Sequence, residues 1–345
     1  FFFESIFLKT QELVIYFLQN LDQSLYNPFV IGEYPEVYAS LYYLILFILM
    51  KNVQLDKLKN ASLYGALFVL FIICLTIRPY FSSVGLVTML DIGQGDTFII
   101  ELPNRKGVFM IDAAANFSFA EEQPSSKIYE QVIKPYLYSR GIQHIDAVFL
   151  THEDIDHIGS APNILKEFHV DNVIVSNVFE LNKEMDLALK NTNTFLKRVS
   201  FNDLIRIKGQ DFHILSPKVD YGTRNENSLV IAFTIGDKTW LFTGDIGKET
   251  EKRMLSDVAK LSIDVLKVGH HGSDTSTSEQ FLSTINPNRA LISVGRNNRY
   301  NHPSDETIEL LKQNNIKVFR TDQHGAVQYY FKKEKNIGTF RTFLQ

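Results

Sequence analysis

The 345-residue sequence has a single cysteine, Cys74, which excludes both an intramolecular disulfide and a metal site built on cysteine. It also has no basic excess: 35 lysines and arginines stand against 39 aspartates and glutamates, a net charge of −4. Any contact with nucleic acid must therefore come from a local patch rather than from the field of the whole molecule. Internal repeats and low-complexity linkers are missing too. Residues 1–21 carry neither an initiator methionine nor a positively charged leader, so they do not read as a signal peptide. Their apolar residues, among them Ile6, Leu13, Phe17 and Leu21, fall at a roughly helical spacing suited to an interface. The chain is expected to be the C-terminal part of something longer.

Apolar residues are plentiful, with 27 Phe and 15 Tyr, and many crowd the first 80 positions. No charge interrupts residues 61–77 (ASLYGALFVLFIICLTI), and residues 37–50 (VYASLYYLILFILM) are similar but shorter. These runs lie near the lower length limit for crossing a bilayer. Membrane helices are expected near 37–51 and 61–77, within a membrane-associated segment of residues 1–83; the alternative is a helical hairpin buried in a soluble core. Tyr42, Tyr43, Tyr80 and Phe81 sit near the ends of the runs, where interfacial aromatics belong. Between the runs, Lys51, Lys57 and Lys59 outnumber Asp56. By the positive-inside tendency this loop is cytoplasmic, and the rest of the chain lies on the extracytoplasmic side of the cytoplasmic membrane.

After Arg78-Pro79 the pattern changes to short β-branched and aromatic runs, such as residues 84–90, 97–102, 108–111, 147–150, 229–234, 240–243 and 265–268. Helical patterns over 126–140, 161–168, 248–259, 278–285 and 305–314 alternate with them. This mixture predicts an α/β domain over residues 84–345. Asp112, His152, Asp245 and His270 each follow shortly after a hydrophobic strand, which is where open α/β sheets build their sites.

Four stretches carry chemistry. His152-Glu153-Asp154-Ile155-Asp156-His157 follows the apolar run 147–150 and places the imidazoles of His152 and His157 with the carboxylates of Asp154 and Asp156 at one strand end; divalent cations would give each of these four a partner. Trp240 to Asp245 is a strand ending in Gly-Asp, whose carboxylate could bridge two cations. Leu266 to Ser273 runs into His270-His271 between glycines. Gly295 to Pro303 holds Arg296, Arg299 and His302, a set suited to an anionic phosphate. Asp91 and Asp96 lie in a Gly-rich turn that could simply reverse the chain, and Gln94 could face a substrate. His144, His169 and His213 have no partner motif and read as ordinary histidines, and His324 reads as part of a late hairpin turn.

Together these motifs resemble the metallo-β-lactamase fold, an αββα sandwich, and more closely the C-terminal domain of the ComEC family of competence proteins, the membrane channel for DNA uptake. The resemblance runs through Leu90 to Asp96, Met110 to Asp112, Thr151 to Gly159, Asn227 to Val230, Phe242 to Asp245, Lys267 to Ser273 and His302-Pro303. It implies that residues 1–83 end a channel domain whose remainder is missing from this chain. It also implies that His152 and Asp154 hold one metal, that Asp156 and His157 hold the other, and that Asp245 bridges them. His271 is the preferred last ligand, with His270 the alternate. Asp112, Asn227 and Ser228 would support the ligands, Arg296 and Arg299 would meet the substrate phosphate, and His302 would act on it as donor or acid. Asp154, where the wider fold has histidine, makes the pocket richer in oxygen and favours Mn2+, with Zn2+ or Mg2+ as alternatives. Asn227-Ser228 replaces a histidine motif of the wider fold, which predicts that the first metal is held weakly. Asp112-Ala113-Ala114 and Ser160 depart from the usual glycines without removing a ligand.

The implied activity is metal-assisted phosphodiester hydrolysis, a nuclease acting on single-stranded or duplex DNA and degrading the strand that is not transported, alongside other DNA-uptake proteins. Asp156, His270 and His302 are the candidate catalytic side chains. Two alternatives remain: an esterase of small phosphodiesters or phosphocholine, and a non-catalytic DNA guide.

Overall fold

The structure, a computed structural model, describes residues 30–118, 123–296, 298–332 and 335–344; the helical spacing within residues 1–21 lies outside them. The chain forms two compact units, one comprising residues up to Thr76 with Tyr138–Ile142, the other Ile77–Leu137 with Gln143–Gln345.

The smaller unit contains two helices, α1 (Glu36–Gln54) and α2 (Leu58–Ile77). Pro35 precedes α1, and Glu36 and Lys51 place charges of the favourable sign at its two ends. Within the hairpin the Tyr42 ring lies 5.2 Å from that of Phe68. None of the residues of α1 is buried, and only Ala61 and Leu75 are in α2, while Leu44, Phe47, Val69 and Leu70 are exposed. Leaving such side chains in water would cost about 1.5–3 kcal/mol each, a penalty that hydrocarbon removes. Both helices are long and apolar enough to cross a membrane, and the expected spans fall inside them.

In the larger unit, strands β1 (Val84–Met89), β2 (Phe98–Glu101) and β3 (Val108–Ile111) are followed by a small hairpin of β4 (Asn116–Ser118) and β5 (Gln123–Ser125). Then come β6 (His144–Phe149), β7 (His169–Ser176), β8 (Phe195–Val199), β9 (Leu204–Ile207), β10 (Gln210–Ser216), β11 (Val230–Ile235) and β12 (Lys238–Phe242). The last strands are β13 (Val265–Lys267), β14 (Arg289–Ile292), β15 (Lys317–Arg320), β16 (Val327–Lys332) and β17 (Lys335–Thr342). They build an eight-stranded sheet of order β17-β16-β1-β2-β3-β6-β7-β8 and a seven-stranded sheet of order β15-β14-β13-β12-β11-β10-β9.

The main core lies where side chains of the two sheets meet. Phe98, Phe109 and Phe149 of the first sheet join Phe212, Phe233, Trp240 and Phe242 of the second, with the Phe98 and Phe242 rings edge-to-face at 4.7 Å. A second core packs Leu241, Leu266 and Ala290 against Met254, Phe281 and Leu311. Those three belong to the helices Lys248–Val258, Glu279–Ile285 and Asp305–Gln313, each initiated without a proline, the last two by serine caps at Ser278 and Ser304. Helices therefore cover the far face of the second sheet, as the sandwich requires.

Each sheet contains a parallel run, β3-β6-β7-β8 and β12-β13-β14-β15. The middle strands β6, β12 and β13 end in or contain buried apolar runs, Ala147-Val148-Phe149, Trp240-Leu241-Phe242 and Val265-Leu266, as strands covered on both faces do. Polar residues collect after the strand ends, and this places the site.

Candidate metal centre

Five chain segments after strand ends converge. The first follows β6, where Thr151-His152 leads into a short helical turn, Ile155–Ile158, that carries Asp156 and His157. Asp245 follows β12 and His270-His271 follow β13. Asp112 follows β3, and Asp96 ends the loop between β1 and β2. Two glycines permit the close approach. Gly95 has φ +118°, and a Cβ there would run into the Asp156 carbonyl; Gly244 has φ +54°, with the Ser228 Cβ 2.6 Å from where its own would stand.

The imidazoles of His152, His157 and His271 are buried, and the Nε2 atom of each lacks a hydrogen-bond partner. Leaving three such atoms unpaired costs about 1–3 kcal/mol apiece. All three face carboxylates. His157 Nε2 lies 3.3 Å and His271 Nε2 3.4 Å from Asp245 Oδ2, and His271 Nε2 is also 3.4 Å from Asp156 Oδ2. One atom from each of His152, His157 and Asp245 lies within 4.8 Å of the others, as do those of Asp156, His157 and His271. This donor set fits divalent cations, which would use the orphaned nitrogens and the converging carboxylate oxygens.

The outward nitrogens are held. Asp112 Oδ2 accepts from His157 Nδ1 at 2.9 Å and from Thr151 Oγ1 at 2.8 Å, while its Oδ1 accepts from the Thr151 amide. Ser293 O accepts from His271 Nδ1 at 2.9 Å. Ser228 Oγ lies 3.3 Å from His152 Nδ1 and accepts from the Asp245 amide. Such partners fix the ring and leave Nε2 facing inward.

His270 and His271 both adopt left-handed backbone, φ +47° and +53°, a strain of order 1–3 kcal/mol each. Hydrogen bonds from the His270 amide to Gly244 O and from the Ser273 amide to His270 O hold the turn. The kink separates the two ring centroids by 6.3 Å: His271 is buried in the cluster, whereas His270 stands at its more open edge, with Nε2 4.0 Å from Asp245 Oδ2 and its ring 5.6 Å from that of His302.

Charge is strongly organised here. Burial pushes the His157 and His271 imidazoles down, yet Asp245, with Asp112 for His157 and Asp96 for His271, outweighs it, and both stand above the usual histidine range. Burial and the neighbouring His157 hold His152 well below it. Burial raises Asp112. Asp245, although buried, is held well below the carboxylate range by His157, His271 and Lys267.

Sequence reasoning assigns no role to Lys267 and leaves Asp96 in a Gly-rich turn that could simply reverse the chain. The structure buries both, with the Lys267 ammonium on Asp96 Oδ2, 3.4 Å from Asp245 Oδ1 and 3.0 Å from Gly244 O. Three donors meet three acceptors. A lysine inside the apolar strand Val265-Leu266-Lys267-Val268 was the available signal, since lysine is almost never fully buried unless paired.

Other expected residues lie further out. Asp154 sits with Oδ2 3.7 Å from His152 Nε2 and pairs with Arg224 at 3.2 Å, outside the tight cluster. Asn227 turns away: its side chain accepts from the Tyr221 amide and donates to Asp220. Arg296 donates to the Asp322 carbonyl, and Arg299 lies beside the Tyr300 ring. Arg224, at the Asp154 side, is an exposed cation that sequence reasoning did not select.

The metallo-beta-lactamase superfamily model matches residues 90–296. The chain is 35% identical to ComE operon protein 3 of Bacillus subtilis, a match covering 91% of this chain and 41% of that protein. It is 32% identical to Recombination protein 2 of Haemophilus influenzae, covering 83% of this chain and 34% of that protein. Competence protein ComA of Neisseria gonorrhoeae is 27% identical, with 70% and 32% covered. The chain thus spans less than half the length of these relatives, and the expected likeness to competence proteins holds. With a matched model over more than half of its length and a two-sheet sandwich whose strand-end loops gather histidines and aspartates, the chain belongs to the metallo-beta-lactamase superfamily.

Proposed function

We propose that this chain carries the metal-dependent phosphodiester hydrolase domain of a DNA-uptake channel, a nuclease that degrades the strand not transported. The superfamily consists of metal-dependent hydrolases in general; the assignment to DNA rests on the named competence relatives. The single observation that carries the hydrolase reading is the trio of buried, unpartnered Nε2 atoms around Asp245.

Two divalent cations, Mn2+ in preference to Zn2+ or Mg2+, would be held by His152, Asp156, His157, His271 and Asp245, with Asp154 reaching the His152 side. They would supply Lewis-acid polarisation of a phosphoryl oxygen and a nucleophile at neutral pH. The chain's own part is positioning. Asp112 and Ser293 orient two imidazoles, and Lys267 claims Asp245 Oδ1, so that Oδ2 faces the histidines. Burial, with His270 as neighbour, holds His302 below its usual range, and burial does the same for His270. A lowered pKa favours the neutral ring, which suits an N–H donating to a phosphate oxygen better than a strong acid. Arg224, Arg296 and Arg299 would help to steer a polyanion.

We place the protein in the cytoplasmic membrane as a multi-pass chain, with Lys51, Lys57 and Lys59 on the cytoplasmic side and the metal domain outside. Channel segments and other uptake proteins would be its partners.

The test uses the full chain in detergent with Mn2+, offered duplex DNA, single-stranded DNA and a small chromogenic phosphodiester. The wild type should cleave DNA faster than the small ester, and Asp245→Ala should cut cleavage by about a hundredfold or more. Intact DNA with normal metal binding would overturn the nuclease reading. A variant that only weakens DNA retention would identify a guide.

A further inference from the structure

Away from the centre, the larger unit holds another convergence of ligand-type side chains. His144 opens β6, and His169 opens β7. The two strands are parallel neighbours with His144 and His169 in register. Asp171 lies two residues along β7 from His169, hence on the same face of that strand, while the intervening Val170 and the matching Ile145 are buried. The register therefore gathers three side chains that lie apart in the sequence. His144 Nε2 is 2.8 Å and His169 Nε2 3.1 Å from the same oxygen, Asp171 Oδ1, and the imidazole centroids are 4.9 Å apart. All three ligand atoms lie within 4.8 Å of one another.

We propose that His144, His169 and Asp171 form a second, surface metal site, separate from the buried centre, that takes a divalent transition cation. Two imidazoles and one carboxylate are donors of borderline softness, matched to Zn2+ or Cu2+ rather than to Mg2+ or Ca2+. Both ring nitrogens lie within 3.1 Å of one carboxylate oxygen, so a cation would take the place of the protons they share with it. Three protein ligands leave a position for water or for a donor from another molecule. His144 is at the start of β6 and His152 is beyond its end, so with strand rise near 3.3 Å per residue the two sites stand roughly 20 Å apart. A cation here would clip β6 to β7 at the end of the sheet away from the buried ligands. None of the three residues contacts those ligands, so the site can be tested without disturbing them.

The experiment is residue-resolved. The 345-residue chain in detergent, stripped of metal, is labelled with diethylpyrocarbonate with and without added Zn2+, and the peptides carrying His144 and His169 are followed by mass spectrometry. Both histidines are exposed enough to react. Zn2+ should slow labelling of both by about tenfold, over the same concentration range, and Asp171→Asn should raise the Zn2+ needed by about tenfold or more. The buried centre is controlled by the His144→Ala/His169→Ala variant, which should bind one Zn2+ fewer by calorimetric titration while its circular dichroism is unchanged. Labelling indifferent to millimolar Zn2+, protection of one histidine alone, or protection that survives Asp171→Asn would each overturn the three-residue site.

Discussion

At the scale of single residues, the centre depends on a buried lysine. Lys267 brings a positive charge into a cluster meant for cations, which makes sense because its partners Asp96 and Asp245 would otherwise be two adjacent buried carboxylates. Removing one partner of a buried pair costs about 3–5 kcal/mol, because the other charge is left uncompensated. Lys267→Met is therefore expected to lower unfolding free energy by that order, measured by urea denaturation, and Lys267→Met/Asp96→Leu should recover part of the loss. If the double variant is no more stable than the single one, the pairing is not what holds these residues. Asp112→Asn tests orientation more gently: it should weaken Mn2+ affinity by about 10–100-fold in a calorimetric titration with little change in fold. Unchanged affinity would show that Asp112 does not act through His157.

Protons belong to the same scale. His157 and His271 are raised by their carboxylate neighbours, so in the metal-free protein they stay charged above pH 6.5. For such groups the stabilisation is fully present below the unfolded value and is lost as pH rises through the folded one. A cation needs the neutral imidazoles, so binding releases these protons. Apparent metal affinity should therefore keep climbing as pH rises past 6.5, by about a decade per unit for each proton released. A plateau at 6.5, read by titration in buffers of different pH, would mean that ordinary histidines are involved.

At the scale of elements, what the sequence shows and what it hides divide along physical lines. The convergence of the His152 to His157 stretch, Gly244-Asp245 and His270-His271 is legible because the spacing of ligand-type side chains after strand ends survives in one dimension. The helices Lys248–Val258, Glu279–Ile285 and Asp305–Gln313 were legible from amphipathic period, to within a residue or so at their ends. The pairing of β1 with β16, between residues far apart in the chain, leaves no local trace, and neither does the β6–β7 register that brings His144 to His169. The resemblance implies a supporting role for Asn227 with Ser228, but the turn points the Asn227 side chain to Asp220, away from the cluster. The apolar helices make their own prediction. Leu70→Arg in α2 should disfavour membrane insertion by about 3 kcal/mol, seen as a larger fraction released by carbonate extraction. If the variant stays with the membrane fraction as the wild type does, Leu70 does not face hydrocarbon.

At the scale of the whole molecule, a rigid aromatic core supports a site assembled from loops. Trp240, stacked on Phe233 and next to Tyr329, sits one strand's length from Asp245. Trp240→Ala should cost about 3–5 kcal/mol, and the same core holds the ends of β6, β12 and β13 at fixed separation, so their ligands need no rearrangement to meet. The most direct test of the central claim is anomalous X-ray diffraction from the Mn2+-loaded protein. Strong peaks are predicted within bonding distance of the Nε2 atoms of His152, His157 and His271 and of Asp245 Oδ2. A fully loaded crystal with no anomalous density among those four side chains would contradict it.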